Sequence, residues 1–241
     1  MAKIPDYLEW NPENLFPLPP EEDESVHYHA AQFHSEKVDH YLGLRVDETE
    51  EAIRQSSSAH SHDPNQNTWR GVSTRITMTP YSELHKILSR IFQKNTPETT
   101  HLVDLGAGYA RLAFILAQHY PQTRFTAYEL EGLRIQEAQR CFAVYLEKLN
   151  RSCTIPTWIE GDLASPSLQP LAATHYFIYD YGSASAVRKT LEDLRKIAQK
   201  QAIQVIARGK LSRHLIEQEC PWLSQIIPAQ HYSHSSIYSS G

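Results

Sequence analysis

Residues 101–114, HLVDLGAGYARLAF, pass from an apolar run through Asp104 and two glycines directly into a second apolar run with helical spacing. Glycine enters left-handed backbone without steric penalty, so this pattern describes a buried strand that ends in a tight turn and feeds a helix at once. The rhythm repeats. RFTAYEL (124–130) reads as a strand and GLRIQEAQRCFAVYLEKLN (132–150) as a helix; TWIEGD (157–162) is a strand; THYFIYDY (174–181), SASAVRKTLEDLRKIAQK (183–200) and AIQVIARG (202–209) continue as strand, helix and strand. Such alternation predicts an α/β chain, a doubly wound and mostly parallel sheet with helices on both faces.

Upstream, TPYSELHKILSRIF (79–92) has Leu84, Ile87, Leu88 and Ile91 at helical spacing, with Pro80 suited to the first turn and Thr79 to the cap. The first 24 residues, rich in proline and acid, predict an extended arm. Two helices are expected between Ser25 and about Gln55, broken near Gly43, and the polar run SSSAHSHDPNQN (56–67) predicts a flexible loop and hinge. The chain therefore divides into an N-terminal arm and helical cap, 1–75, and a main domain, 76–241. Near the end, LSRHLIEQECPWL reads as helical up to Pro221, and QIIPAQHY and SSIYSS as an antiparallel edge pair joined across Ser233 and His234.

Charge is unevenly placed. The net charge is −5, yet residues 1–75 carry six basic and fourteen acidic side chains, and the remainder is slightly basic. A phosphate backbone demands clustered Lys and Arg, so no nucleic-acid partner is expected. No apolar run is long enough to span a bilayer, and the first residues lack the basic flank and apolar centre of a secretory signal, so no membrane partner and a cytoplasmic location are expected. Cys141, Cys153 and Cys220 form no C-x-x-C pair. His27, His29, His34 and His40 include no pair three or four apart, so no metal site is predicted.

The glycine turn belongs to a nucleotide-like ligand, because doubly wound sheets bind ligands beyond the carboxyl ends of their strands, at the switch in strand order. A dinucleotide fingerprint would need a third glycine where this chain has Arg111, and a P-loop would need G-K-[ST]. Asp104, Gly106, Gly108 and Ala110 resemble instead the first motif of the class I S-adenosylmethionine (SAM) methyltransferases, an acid followed by G-x-G-x-[GA]. That resemblance, which covers residues 76 to about 220, implies a Rossmann-like fold, SAM as cofactor and S-adenosylhomocysteine as product. It implies that Glu129 accepts the ribose hydroxyls, that Asp162 reaches the adenine amino group, and that Asp180, ending FIYDYGS, lies where the methyl group is presented.

A finer likeness joins RITMTPYSELHKIL, the Y-E-L end of the second strand and EGD to the protein-lysine methyltransferases of the disruptor-of-telomeric-silencing type. It implies cofactor contacts from Thr79 and Tyr81. The fourth strand ends YDYGS where that group has an asparagine-rich pattern. Tyr109, Tyr179, Tyr181, Trp69 and Trp158 are candidate walls for the acceptor, since aromatic faces attract ammonium and sulfonium groups. The expected reaction is methyl transfer to a basic nitrogen such as a protein lysine, with Asp180 and Tyr181 as catalytic residues. The alternatives are a small-molecule O- or N-methyltransferase and a non-catalytic SAM-binding interaction module.

Overall fold

The computed structural model describes residues 4–21, 28–57, 77–92, 100–149 and 152–241. After a 3-10 turn at Asp6–Leu8 come helices α1 (Tyr28–Leu42), α2 (Val46–Ser57) and α3 (Tyr81–Ile91). Then follow β1 (His101–Leu105), α4 (Arg111–His119), β2 (Arg124–Glu129), α5 (Gly132–Leu149), β3 (Thr157–Glu160), β4 (His175–Tyr179), α6 (Ala184–Ala198), β5 (Gln204–Arg208), α7 (Lys210–Glu219), β6 (Gln230–His231) and β7 (Ser235–Ser239). The sheet has seven strands in the order β3-β2-β1-β4-β5-β7-β6. The first five are parallel; β7 runs antiparallel between β5 and β6, the edge pair expected from the tail.

Strand alternation builds two cores. Val103, Leu105, Tyr176, Ile178, Val205 and Ala207 face Val187, Leu191 and Leu194 of α6 and Leu215 and Ile216 of α7. Leu102, Phe125, Ala127, Phe177 and Ile206 face the other way, onto α3, α4 and α5. Helices therefore cover both faces, as the alternating pattern requires. β1 is buried along its whole length, with β2 on one side and β4 on the other. The chain reverses its direction of winding there, so the glycine turn after β1 lies at the switch point.

The front piece shares the second core. Phe16 is fully buried against Tyr81, with ring centroids 5.0 Å apart, and Val38, Leu42 and Leu44 join the same cluster as α3 to α5. Gly43, at φ +76, separates α1 from α2 as expected. Pro80, rather than Thr79, occupies the cap position of α3, and the amide of Tyr81 is satisfied by Ser35 Oγ of α1 at 3.1 Å. A hydroxyl from the front piece thus starts the first helix of the main domain. Ser56 and Ser57, expected in the hinge, belong to α2; the rest of that expected loop, and the boundary at residue 75, lie outside the described residues.

The strongest tie is ionic. Arg111 Nη2 meets Asp39 Oδ2 of α1, Nη1 donates to Thr79 O at 2.9 Å, and the guanidinium lies 4.8 Å from the Tyr81 ring centroid. Tyr81 donates its hydroxyl to the other oxygen of Asp39 at 2.9 Å. Both charges are buried, so removing one partner strands the other in a medium that solvates it poorly. Asp39→Asn is expected to cost about 3 to 5 kcal/mol of stability, and the paired change Asp39→Leu with Arg111→Met to recover most of it; urea unfolding of the variants checks both.

Candidate functional site

A cavity of about 350 Å³ opens at the carboxyl ends of β1, β2, β3 and β4. Its wall includes Gly106, Gly108 and Asp104 of the first turn, Glu129 to Glu131 after β2, Gly161 to Ala164 after β3, and Tyr181 to Ser183 after β4. Thr77, Met78 and Thr79 close it from the segment before α3. Thr79, Asp104, Gly106, Gly108, Glu129, Asp162 and Tyr181 are therefore brought together around one space.

Backbone geometry makes the turn possible. Gly106 has φ +88, Gly108 +57, and Ala110 enters the left-handed region at +49 to start α4. The amides of Gly106 and Ala107 donate to Tyr128 O at 2.9 and 2.8 Å, which fixes the turn against β2. A Cβ on Gly106 would lie 2.2 Å from Tyr181 Cβ. The glycine is required twice, for its backbone conformation and for the approach of the tyrosine.

Two buried acids, Glu129 and Asp104, stand in the cavity wall. Glu129 is buried and holds the Gly108 amide with Oε2 at 2.8 Å and the Glu131 amide with Oε1 at 3.0 Å. Asp104 points from β1 to the same face as Phe177, its register partner on β4. Burial, with the charge of Glu129 as the lesser cause, pushes Asp104 up from 3.8 to about 8. Asp162 is exposed and turns Oδ1 back onto the Ala164 amide at 2.8 Å. The two arginines in the wall are both paired: Arg111 with Asp39, and Arg134 with Glu50 of α2 through Nε at 2.8 Å and Nη2 at 3.0 Å.

Two expected site residues face elsewhere. Tyr81 is fully buried beneath Arg111 with its hydroxyl on Asp39, so it braces the wall from behind and does not reach the cavity. Asp180 turns its carboxylate onto the start of α7: Oδ1 accepts from Ser212 N at 2.8 Å and Ser212 Oγ at 2.6 Å, and Oδ2 from Leu211 N at 3.2 Å. Gly209, at φ +94, makes room, since a Cβ there would meet the Asp180 carboxylate at 2.3 Å. The reason is physical: free amides at a helix start attract a carboxylate. The carboxylate expected to act at the methyl-transfer face is thus bonded to the start of α7, and Asp180 is not among the described residues that line the cavity.

Tyr181 does line the cavity, but its hydroxyl is held by Thr190 Oγ1 at 2.5 Å and donates to Ala186 O at 3.3 Å. Burial drives its proton affinity up, so it offers a ring face rather than a base. Tyr179 also lines the cavity, with the Arg208 guanidinium 4.2 Å from its ring centroid and Arg208 itself held by Glu83 through 2.9 and 3.0 Å bonds. Tyr109 lines it as well and ties its hydroxyl to Glu50. Trp158 packs against Phe142 and is not part of the wall; Trp69 lies outside the described residues. Arg134, Asp39 and Glu50 had no signal in the sequence. Each acts through a partner far away along the chain.

No family model matches the chain, and no curated protein matches it. Solved structures do resemble it. The pyocyanin biosynthetic protein PhzM is 12% identical over 92% of this chain and 76% of its own, with a TM-score of 0.49. An RNA methyltransferase from Salinibacter ruber, in complex with S-adenosyl-L-homocysteine, is 18% identical over 67% of this chain and 91% of its own, with a TM-score of 0.43. For a StiE O-MT segment the identity is 14% and the TM-score 0.39, over 54% of this chain; the chain spans 43% of that segment. The seven-stranded, mostly parallel sheet is established by the chain's own topology.

Two substitutions check the architecture of the site. Gly106→Ala is expected to lower stability by about 2 kcal/mol or more, from left-handed strain together with the collision at Tyr181, read as a drop in melting temperature. Asp180→Ala is expected to cost about 1 to 2 kcal/mol by uncapping α7, and to leave ligand affinity at the cavity within about twofold by calorimetry.

Proposed function

We propose that the chain binds SAM in this cavity and transfers its methyl group to an acceptor. The observation that carries the reading is the makeup of the wall: four acids, Asp104, Glu129, Glu131 and Asp162, and a glycine turn at the switch point, no lysine among the described lining residues, and both arginines already paired with carboxylates. A pyrophosphate would find no free cation there. SAM carries a sulfonium and no phosphate, so such a wall suits it. In this reading Glu129 takes the ribose hydroxyls, Asp162 and its neighbours the adenine, and Asp104 with Thr79 the methionine end near the sulfonium.

The reaction is an in-line displacement. A lone pair of the acceptor forms a bond to the methyl carbon as the carbon–sulfur bond breaks, and that bond's electron pair stays on sulfur to give neutral S-adenosylhomocysteine. Holding two reactants in near-attack geometry supplies about 7 to 11 kcal/mol of such a barrier. The acceptor we favour is a basic nitrogen such as a protein lysine, on two supports: the acidic wall and front piece, and the likeness of residues 75–88 to lysine methyltransferases. A polyanion would meet that acidity as repulsion, so RNA and DNA are the less favoured acceptors. A lysine must still lose its proton, at a cost of about 4.6 kcal/mol at pH 7 from an ordinary pKa of about 10.4. With Asp180 capping α7 and Tyr181 tied to Thr190, that proton leaves through solvent.

Calorimetry should show binding of SAM and S-adenosylhomocysteine, weakened by about 1.5 to 3 kcal/mol in Glu129→Ala. Binding of NADH in place of SAM would overturn the cofactor. Isotope-labelled SAM added to a lysate, with proteins, RNA and metabolites then read by mass spectrometry, tests the acceptor: label on protein lysine supports it, label on RNA or a neutral metabolite overturns it, and no label on any fraction points to a binding module.

Asp104 adds a pH test. Its folded pKa, about 8, lies above its ordinary 3.8, so between those values the folded chain binds the extra proton and ionisation opposes folding. Stability from this group therefore falls as pH rises across that window. A cationic ligand reverses the preference, because it favours the ionised carboxylate. The ratio of SAM to S-adenosylhomocysteine affinity is expected to rise through about pH 8 and to become flat in Asp104→Asn. The sulfonium lowers the ammonium pKa of free SAM relative to that of S-adenosylhomocysteine, so the ligands' own titrations are measured and subtracted before the ratio is taken.

A further inference from the structure

Glu50 of α2 is buried and does not line the cavity, yet it is bonded to two residues that do. Its Oε1 accepts from Tyr109 Oη at 2.9 Å and from Arg134 Nε at 2.8 Å, and its Oε2 accepts from Arg134 Nη2 at 3.0 Å. The remaining arm of Arg134, Nη1, reaches Glu129 Oε1 only at 3.5 Å. Glu129 in turn holds the Gly108 amide, next to Tyr109. The result is a closed circuit, from Glu129 to Gly108, along the chain to Tyr109, across to Glu50, and back through Arg134.

Arg134 stands between two carboxylates. A guanidinium binds most strongly where two parallel bonds are offered, and Glu50 offers them. Glu129 is left with a marginal contact. We propose that Glu50 is a positioning residue for the nucleoside end of the cofactor, withholding Arg134 from Glu129 and fixing the turn through Tyr109. This rests on the SAM reading of the cavity given above. Without the Glu50 carboxylate, the buried guanidinium loses both short bonds and has Glu129 as the nearest anion. Arg134 then closes on Glu129 and occupies the acceptor that the ribose hydroxyls need.

That consequence separates positioning from general support of the fold. If Glu50 merely props α2, removing Arg134 as well adds a second injury. If Glu50 restrains Arg134, removing Arg134 relieves the first.

The test is the dissociation constant of SAM and of S-adenosylhomocysteine, by calorimetry on the full chain, for the native protein, Glu50→Gln, Arg134→Gln and the double variant. Glu50→Gln is expected to weaken both ligands by the same factor, about tenfold or more, because they share the nucleoside. The double variant is expected to return to within about threefold of Arg134→Gln alone. Glu50→Gln within about twofold of the native protein, or a double variant as weak as the two single effects combined, overturns the proposal. Should Glu50→Gln fail to fold by circular dichroism, Glu50→Asp takes its place: its shorter arm cannot hold Arg134 through both nitrogens, and weakening relieved by Arg134→Gln is again required. A native protein that binds neither ligand overturns the cofactor reading itself, an outcome distinct from native binding with no effect of Glu50.

Discussion

The buried pair between Arg111 and Asp39 is the constraint on which the rest of the molecule turns. A dinucleotide fold places a glycine at this position so that helix and strand can approach closely. Here the side chain is the bulkiest cation available, and the space it needs is built by other parts of the chain: α1 supplies the anion, Thr79 a carbonyl, and Tyr81 a ring face. Because a buried guanidinium cannot shed its charge, these partners are obligatory. The front piece is therefore attached at the residue that opens α4, immediately after the ligand turn.

A second tie of the same kind joins α2 to the turn through Glu50, Tyr109 and Arg134. Two independent polar connections from adjacent helices meet on either side of residues 106–111. Helices held this way transmit position, since charge-assisted bonds have narrow geometry, whereas apolar contacts alone would permit sliding. The described helices α1 and α2 are thereby bonded directly to residues of the cavity wall.

Much of the fold was legible because it depends on local rules. Alternating strands and helices, the break at Gly43, the stop at Pro221 and the antiparallel pair at the C-terminus all follow from periodicity and turn chemistry, and the structure has each of them. The candidate site was legible where the backbone alone places a residue at a strand end. Gly106, Asp104, Glu129 and Asp162 surround the cavity for that reason. What sequence could not show was side-chain direction. Tyr81 turned inward because Asp39, 42 residues away in sequence, offered its hydroxyl a partner. Arg111 was legible only as a mismatch to another motif, and its partner Asp39 lay in a helix that periodicity could place but not pair.

Asp180 shows how narrow the difference can be. At the end of β4 an acid has two competing attractions: a cationic ligand in the cavity on one side, and the free amides at the start of α7 on the other. The amides are always present and the ligand is not, so a carboxylate that can reach them is drawn away from the cavity by a standing interaction. Gly209 decides that it can reach them, because any side chain there would fill the space the carboxylate occupies. The identity of a residue 29 positions downstream thus decides which way the Asp180 carboxylate turns. Glu129, by contrast, stays at the cavity wall, where its carboxylate accepts from the amides of Gly108 and Glu131. At a strand end of a doubly wound sheet the next helix start and the ligand crevice therefore compete for the same acid.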